Sequence, residues 1–355
     1  MRKAWLATNA SHVSVFKMKK HFRTFQNLLL AGLAFCSSFT AFAGNHVVII
    51  AGRGGTTEYA AKFGRYAKQL QELLQQQYGF RPEQITVLAE SGAPLASTHV
   101  NVETTFIKLA TAMRSEDLLL VVLLGHGTAD ANFSKFNLVG ADLRDIDFAR
   151  LLERVPARQQ VLINTTAASA GFAEKLARAD RVIITATRSA EEKYATIFPE
   201  YFIEALTKGE EVDLNKDQKI SLLEAFDYAR DRVVRFYEQA NRLRPEHPLL
   251  EDNGDGLGSE IPVAQAFIAE VNATPSDGRL AARMFFNAGT VASSGSEMTP
   301  EIGGPLGQRK AKLLAEIEAL KSRKSTLSPT EYERKLEELF IALARLNREI
   351  KQSKP

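Results

Sequence analysis

Cysteine is almost absent. The 355 residues hold one, Cys36, close to the N-terminus. From Gly44 onward there is no thiol, so that stretch forms no disulfide and offers no thiolate nucleophile. Acidic residues are missing from the first 43 positions, which carry six Lys and Arg. The apolar run in that region, Leu28 to Phe35, is too short for a stable bilayer span. Basic excess is also missing from the body of the chain. The overall charge of +3 arises at the ends, with twelve basic and seven acidic residues from Leu306 on, whereas 44–305 holds 27 basic and 35 acidic residues. An acidic body argues against nucleic acid as a partner and suits cation binding.

What is present at the N-terminus reads as an export signal over 1–43. Lys17 to Arg23 is a positive start, Leu28 to Phe35 an apolar centre, and Ala41-Phe42-Ala43 a small-x-small cleavage site before Gly44. Met18 is a candidate for the true start, since the residues before it add nothing to a signal. Phe35 before Cys36 does not suit a lipid-modified cysteine. The expectation is export to the periplasm or the exterior, with no stable membrane span after cleavage.

The 44–258 region alternates short apolar runs with helical periodicity. Strands are expected at His46–Gly52, Gln84–Ala89, Leu118–Leu124, Gln160–Thr166 and Arg181–Thr187, with a short edge strand at Phe136–Val139. Helices are expected at Glu58–Tyr78, Val102–Met113, Asp145–Val155, Phe172–Ala179, Phe198–Leu206 and Leu222–Leu243. The alternation predicts right-handed βαβ units around a parallel sheet. Residues 259–307 read as a linker rich in Ser, Gly and Pro. Residues 308–355 read as a helical hairpin or coiled coil, its second helix opening on Ser328-Pro329-Thr330-Glu331 and carrying the stripe Tyr332, Leu336, Leu339, Leu343, Leu346 and Ile350. That stripe implies intramolecular packing or self-association.

The strand Leu118–Leu124 ends in Gly125-His126-Gly127. Ligands of open α/β sheets bind just outside the carboxyl ends of the strands. A titratable ring there suits proton transfer near neutral pH; equally, it suits a strand cap bonded to backbone. Further along, VLINTTAASAG over Val161–Gly171 closes another buried strand.

Taken with AGRGGTTEYA after the first strand and RVIITATRSAEE over Arg181–Glu192, this order resembles the caspase, gingipain and legumain clan of cysteine peptidases, and most nearly the legumain branch with its bacterial caspase-like relatives. The resemblance runs from about His46 to Gly258. It implies an α/β fold, a caspase-like three-layer α/β/α sandwich with a mainly parallel central sheet, to which the C-terminal α-helical hairpin is added. It also implies a thiolate that attacks a peptide carbonyl, a histidine that protonates the leaving amine, and glycine-turn amides that hold the oxyanion. On that pattern His126 is the retained dyad histidine, Gly127 belongs to the oxyanion turn, and the nucleophile position falls on Ala168. Ala168 has no nucleophilic atom. Ser169, one residue on, and Thr166 are the substitutes to weigh, although a one-residue shift at a strand end turns a side chain elsewhere. The Asn-Tyr-Arg triplet with which legumain grips its substrate corresponds to Glu58-Tyr59-Ala60, without the arginine. Arg53 or Arg188 is then the source of positive charge in a pocket.

A second site is legible from spacing alone. Residues 213–224 fit the twelve-residue EF-hand-type loop, with oxygens from Asp213, Asn215, Asp217, the Lys219 carbonyl, Ser221 and Glu224. The expected cofactor is Ca2+. Gln218 stands where the sharp turn favours glycine. The competing reading is a helix start, with Ser221 and Glu224 forming a capping box. The acidic turn Glu251 to Gly256 lacks an acid at the corresponding twelfth place and reads as a surface turn.

Three functions follow. The first is an exported pseudo-peptidase acting as a binding or regulatory module for a peptide or protein. The second is an active endopeptidase with a non-cysteine nucleophile. The third is an assembly scaffold working through 308–355.

Overall fold

Strand residues here alternate between two apolar cores. In the computed structural model, which describes residues 44–262, 277–288 and 328–352 with helical positions 309, 312, 313, 316 and 320 between them, Val47, Ile49 and Ala51 enter one core and Val48 and Ile50 the other. A strand buried on both faces has no polar side, which is why these segments read as continuous apolar runs.

The strands are β1 (His46–Ala51), β2 (Ile85–Ala89), β3 (Leu95–Ala96), β4 (Leu118–Leu124), β8 (Gln159–Asn164), β9 (Arg181–Thr185) and β10 (Leu249–Glu251), ordered β10-β9-β8-β4-β1-β2-β3. All neighbours pair in parallel except β10, which runs antiparallel to β9 with Leu250 opposite Ile184. Between β4 and β8, β5 (Gly127–Ala129), β6 (Ser134–Phe136) and β7 (Leu143–Arg144) form a small antiparallel sheet of their own.

Helices cover both faces. One core takes Phe63, Leu70 and Leu74 of α1 (Thr57–Gln76), Phe198 and Phe202 of α5 (Phe198–Lys208), and Phe226 and Val233 of α6 (Leu222–Gln239). The other takes Val102 and Phe106 of α2 (His99–Ala112), Phe148 and Leu152 of α3 (Asp145–Glu153), and Phe172 and Leu176 of α4 (Gly171–Leu176). The fold is α/β with a mostly parallel central sheet and helices on both of its faces. Thr56 and Thr98 cap α1 and α2 by accepting amide hydrogens through their hydroxyls. A final helix, α7 (Pro329–Gln352), starts where the Ser-Pro capping signal places it. No helix among the described residues is long and apolar enough to cross a membrane.

Several expectations shift. The edge strand foreseen at Phe136–Val139 is β6 and belongs to the small sheet, because Phe136 pairs with Gly127 and Leu143. Strand β10 is unforeseen. Residues 277–288 lie inside the stretch expected to be a linker, yet they form a strap on the domain. Ala281 and Met284 are buried, Leu222 N donates to Met284 O at 2.9 Å, and Asn45 Nδ2 donates to Asn287 O at 2.9 Å. The export signal and most of the rest of the expected linker, 263–276 and 289–307, lie outside the described residues, as does most of the first helix of the expected hairpin.

Candidate functional site

The chain leaves β1 toward β2 and β3 on one side and returns through β4 on the other, so the strand order reverses between β1 and β4. At such a switch point the loops beyond the two carboxyl ends part and leave a crevice. His126 stands there. Its Nε2 lies 3.2 Å from the carbonyl oxygen of Gly54, on the loop after β1, so one hydrogen bond spans the switch point.

Two aromatic rings of α1 close on the imidazole edge-to-face, Tyr59 at 4.6 Å and Phe63 at 5.0 Å between centroids. Burial against them depresses the His126 pKa, and the Gly54 carbonyl opposes this in part. The ring is held neutral further toward acid than a free imidazole. Tyr59, in the Glu58-Tyr59-Ala60 triplet singled out in the sequence, packs on the histidine.

The glycines around this turn answer to close approach. A Cβ on Gly127 would stand 2.3 Å from both Thr166 Oγ1 and the Ala167 carbonyl oxygen, and one on Gly54 would stand 2.2 Å from Ala60 N. The histidine turn is therefore packed directly on the loop that follows β8. In that loop Ala168 adopts φ +51, a left-handed conformation that disfavours an L-residue, with its methyl buried and its amide donating 2.9 Å to Glu192 O.

Ser169 is 1% exposed. Its hydroxyl lies 3.0 Å from Thr187 Oγ1 and accepts from Thr187 N, while its amide donates to the same threonine hydroxyl. Thr166 Oγ1 donates 2.8 Å to Asn164 Oδ1. Neither hydroxyl is hydrogen-bonded to His126. The two arginines expected to charge a pocket are both exposed. Arg53 donates its backbone amide to Asn137 O, and the Arg188 guanidinium lies 3.5 Å from Glu192.

Glu192 is the centre of a cluster that sequence spacing does not reveal. Its backbone oxygen receives Ala168 N, and its carboxylate bonds the Arg188 amide, the His247 amide and His247 Nδ1. His247 reaches it from 55 positions away because β10 lies beside β9. An adjacent glutamate, Glu246, is buried and accepts the amides of Ile197 and Phe198 and the hydroxyl of Tyr237. Only the pairing of β10 could have pointed to either residue.

The 213–224 loop joins α5 to α6. Asp213 Oδ1 and Oδ2 accept the amides of Asp217 and Gln218, Asn215 Oδ1 accepts Asp217 N, and Asp217 Oδ1 accepts Lys219 N. Gln218 takes φ +69, so the left-handed turn that glycine favours forms without it. Glu224 closes the loop, accepting Leu214 N at 2.9 Å and both the amide and hydroxyl of Ser221. The capping box at the start of α6 is thus realised in this conformation. Burial raises the Asp217 pKa, and the nearby Asp213 and Glu224 carboxylates raise it further. The donors are hard oxygens suited to Ca2+. However, these carboxylate oxygens face the loop's own amides, and no group of three His, Cys, Asp or Glu among the described residues is arranged to hold a metal. The loop is tied to the strap, with Ser221 bridged to Phe285 and the Lys219 ammonium 5.5 Å above the Phe285 ring.

No known family profile matches the chain, and no curated protein does. Among solved structures, the chain shows similarity to protein GSU0716 from Geobacter sulfurreducens, at 12% identity over 58% of this chain and 92% of that one with a TM-score of 0.39.

Proposed function

We propose that the protein is an exported, catalytically inactive caspase/legumain-like domain that binds a peptide or protein segment along the carboxyl edge of its sheet. The observation that carries this reading is Ala168. The resemblance calls for a thiol at that position, and the side chain is a methyl, in a chain whose single cysteine is Cys36. Three further observations support it: a histidine at the switch point, a glycine turn packed on the β8 loop, and the exposed Arg53 and Arg188.

A serine peptidase built on Ser169 has less support. A hydroxyl is a weak nucleophile without a base in hydrogen-bond reach, and Ser169 is engaged with Thr187. A domain of this kind acts by holding a ligand. Its aromatic-flanked histidine then works as a neutral donor or acceptor rather than as a general acid.

The same reading includes a calcium site on the 213–224 loop, with Asp213, Asn215, Asp217, the Lys219 carbonyl, Ser221 and Glu224 as ligands. It rests on the donor set and on the left-handed turn at Gln218. Bound calcium would lock the α5–α6 connection against the strap. On the same reading, the export signal expected over 1–43 directs the protein to the periplasm or outside the cell.

The test is retention of a random peptide library by the purified protein, read by mass spectrometry. A retained subset that His126→Ala and Arg188→Ala both deplete is expected. No retention, or retention that neither variant alters, overturns the binding role.

A further inference from the structure

Helix α7 carries two faces. One buries Tyr332, Leu343 and Leu346. The other is open: Glu333, Leu336, Glu337, Phe340 and Ile341 line one shallow surface, and Phe340 and Ile341 are 36% and 45% exposed. Adjacent large apolar side chains at the middle of an exposed helix mark a surface suited to a partner.

The charges around that pair are sorted along the helix. Residues 329–340 hold four Glu against one Arg and one Lys, whereas 341–352 hold two Arg and one Lys against one Glu. Some of this charge is neutralised internally. Arg334 pairs with Glu338 and Lys335 with Glu331, each at 2.7 Å, and Arg309 pairs with Glu349 at 3.2 Å. Among the described residues, Glu333 and Glu337 in the first half and Arg345 and Arg348 in the second enter no ion pair.

We propose that this face docks a second copy of the chain, α7 against α7, antiparallel about a two-fold axis beside Phe340 and Ile341. The axis falls midway along Pro329–Gln352. Symmetry then sets Glu333 of one copy opposite Arg348 of the other, each roughly 11 Å along the helix from the axis. Glu337 comes opposite Arg345 closer in. An isologous contact of this kind forms every such pair twice. A parallel arrangement would place the two acidic halves together and repel. An anionic membrane surface is disfavoured for the same reason, because half of the face is acidic. The expectation of self-association through 308–355 thereby gains a face, an orientation and a register. It stands independently of the pseudo-peptidase reading.

The test is sedimentation velocity of the full chain over a range of concentrations, with helicity by circular dichroism confirming that each variant is folded. Wild type should dimerise reversibly. Glu333→Arg and Arg348→Glu each set like charges opposite one another twice and should weaken the dimer by about tenfold or more. The double variant Glu333→Arg/Arg348→Glu should recover most of the loss. Ile341→Asp, which places two carboxylates at the axis, should abolish the dimer. A wild type that stays monomeric throughout, folded single variants that dimerise like wild type, or a double variant no tighter than the singles each overturns the proposal.

Discussion

Gly127 and Thr166 are packed so closely that a Cβ on the glycine would stand 2.3 Å from the threonine hydroxyl oxygen. The contact joins the loop after β4 to the loop after β8. It fixes His126 relative to Ala168 without any bond between their side chains. Gly127→Ala should therefore destabilise the fold by about 1–3 kcal/mol, the usual cost of forcing atoms into a filled site. Thermal unfolding checks this. Gly64→Ala is the control, because a Cβ there meets nothing within 4 Å on α1. It should hold or raise Tm, as alanine favours a helix interior.

The imidazole of His126 is predicted to titrate below a free imidazole. Its folded pKa is depressed, chiefly by burial. A depressed histidine binds protons less well folded than unfolded, so stability falls as pH drops through the unfolded value of about 6.5. An NMR titration of the ring reads the pKa directly, and His126→Gln should remove its share of the acid-side loss. A ring that titrates at or above the free value would contradict the packing described.

Glu251 has the opposite sign. It is fully buried, its Oε2 has no hydrogen-bond partner, and burial pushes its pKa up to about 7. A carboxyl whose folded pKa is raised stabilises the protein below its unfolded pKa, and that contribution is lost as pH rises through the folded pKa. Stability should thus decline from about pH 4.5 to about pH 7, the range between the ordinary and the raised value. Glu251→Gln keeps the Gly254 amide bond to Oε1 and should flatten that decline in denaturant unfolding.

For the 213–224 loop, calcium should raise Tm, by an amount corresponding to about 2.7 kcal/mol at a hundredfold excess over Kd. Asp217→Asn should abolish the increment. Without metal it should leave the protein no less stable, because Asp217 is half-buried near two other carboxylates and its pKa is raised. A wild type with no calcium-dependent rise in Tm refutes the site.

The parts of the molecule legible in the sequence are those with local causes. Leu118–Leu124 announces itself as a strand because both its faces are apolar, and Thr98 and Ser328 announce helix starts because their side chains bond amides three residues on. The parts that escaped are held by distant partners. Strand β10 is only Leu249–Glu251 and exists through its pairing with β9. The 277–288 strap is fixed by an exchange in which Asp277 accepts the Asp252 amide and Asp252 accepts the amides of Gly278, Leu280 and Ala281. At the site, His126 and Ala168 were legible as strand-end residues. The Glu192–His247 pair was not, since 55 positions separate its members. Gln218 stands where spacing favours glycine, yet the tight loop holds it at φ +69.

The proposed peptidase-like frame around His126 binds peptides without cleaving them. The most direct measurement is incubation of the purified protein with a random peptide library, with and without calcium, followed by mass spectrometry for new termini. No cleavage is expected in either condition, for wild type and for Ser169→Ala alike. Cleavage by wild type that disappears in Ser169→Ala would contradict this expectation.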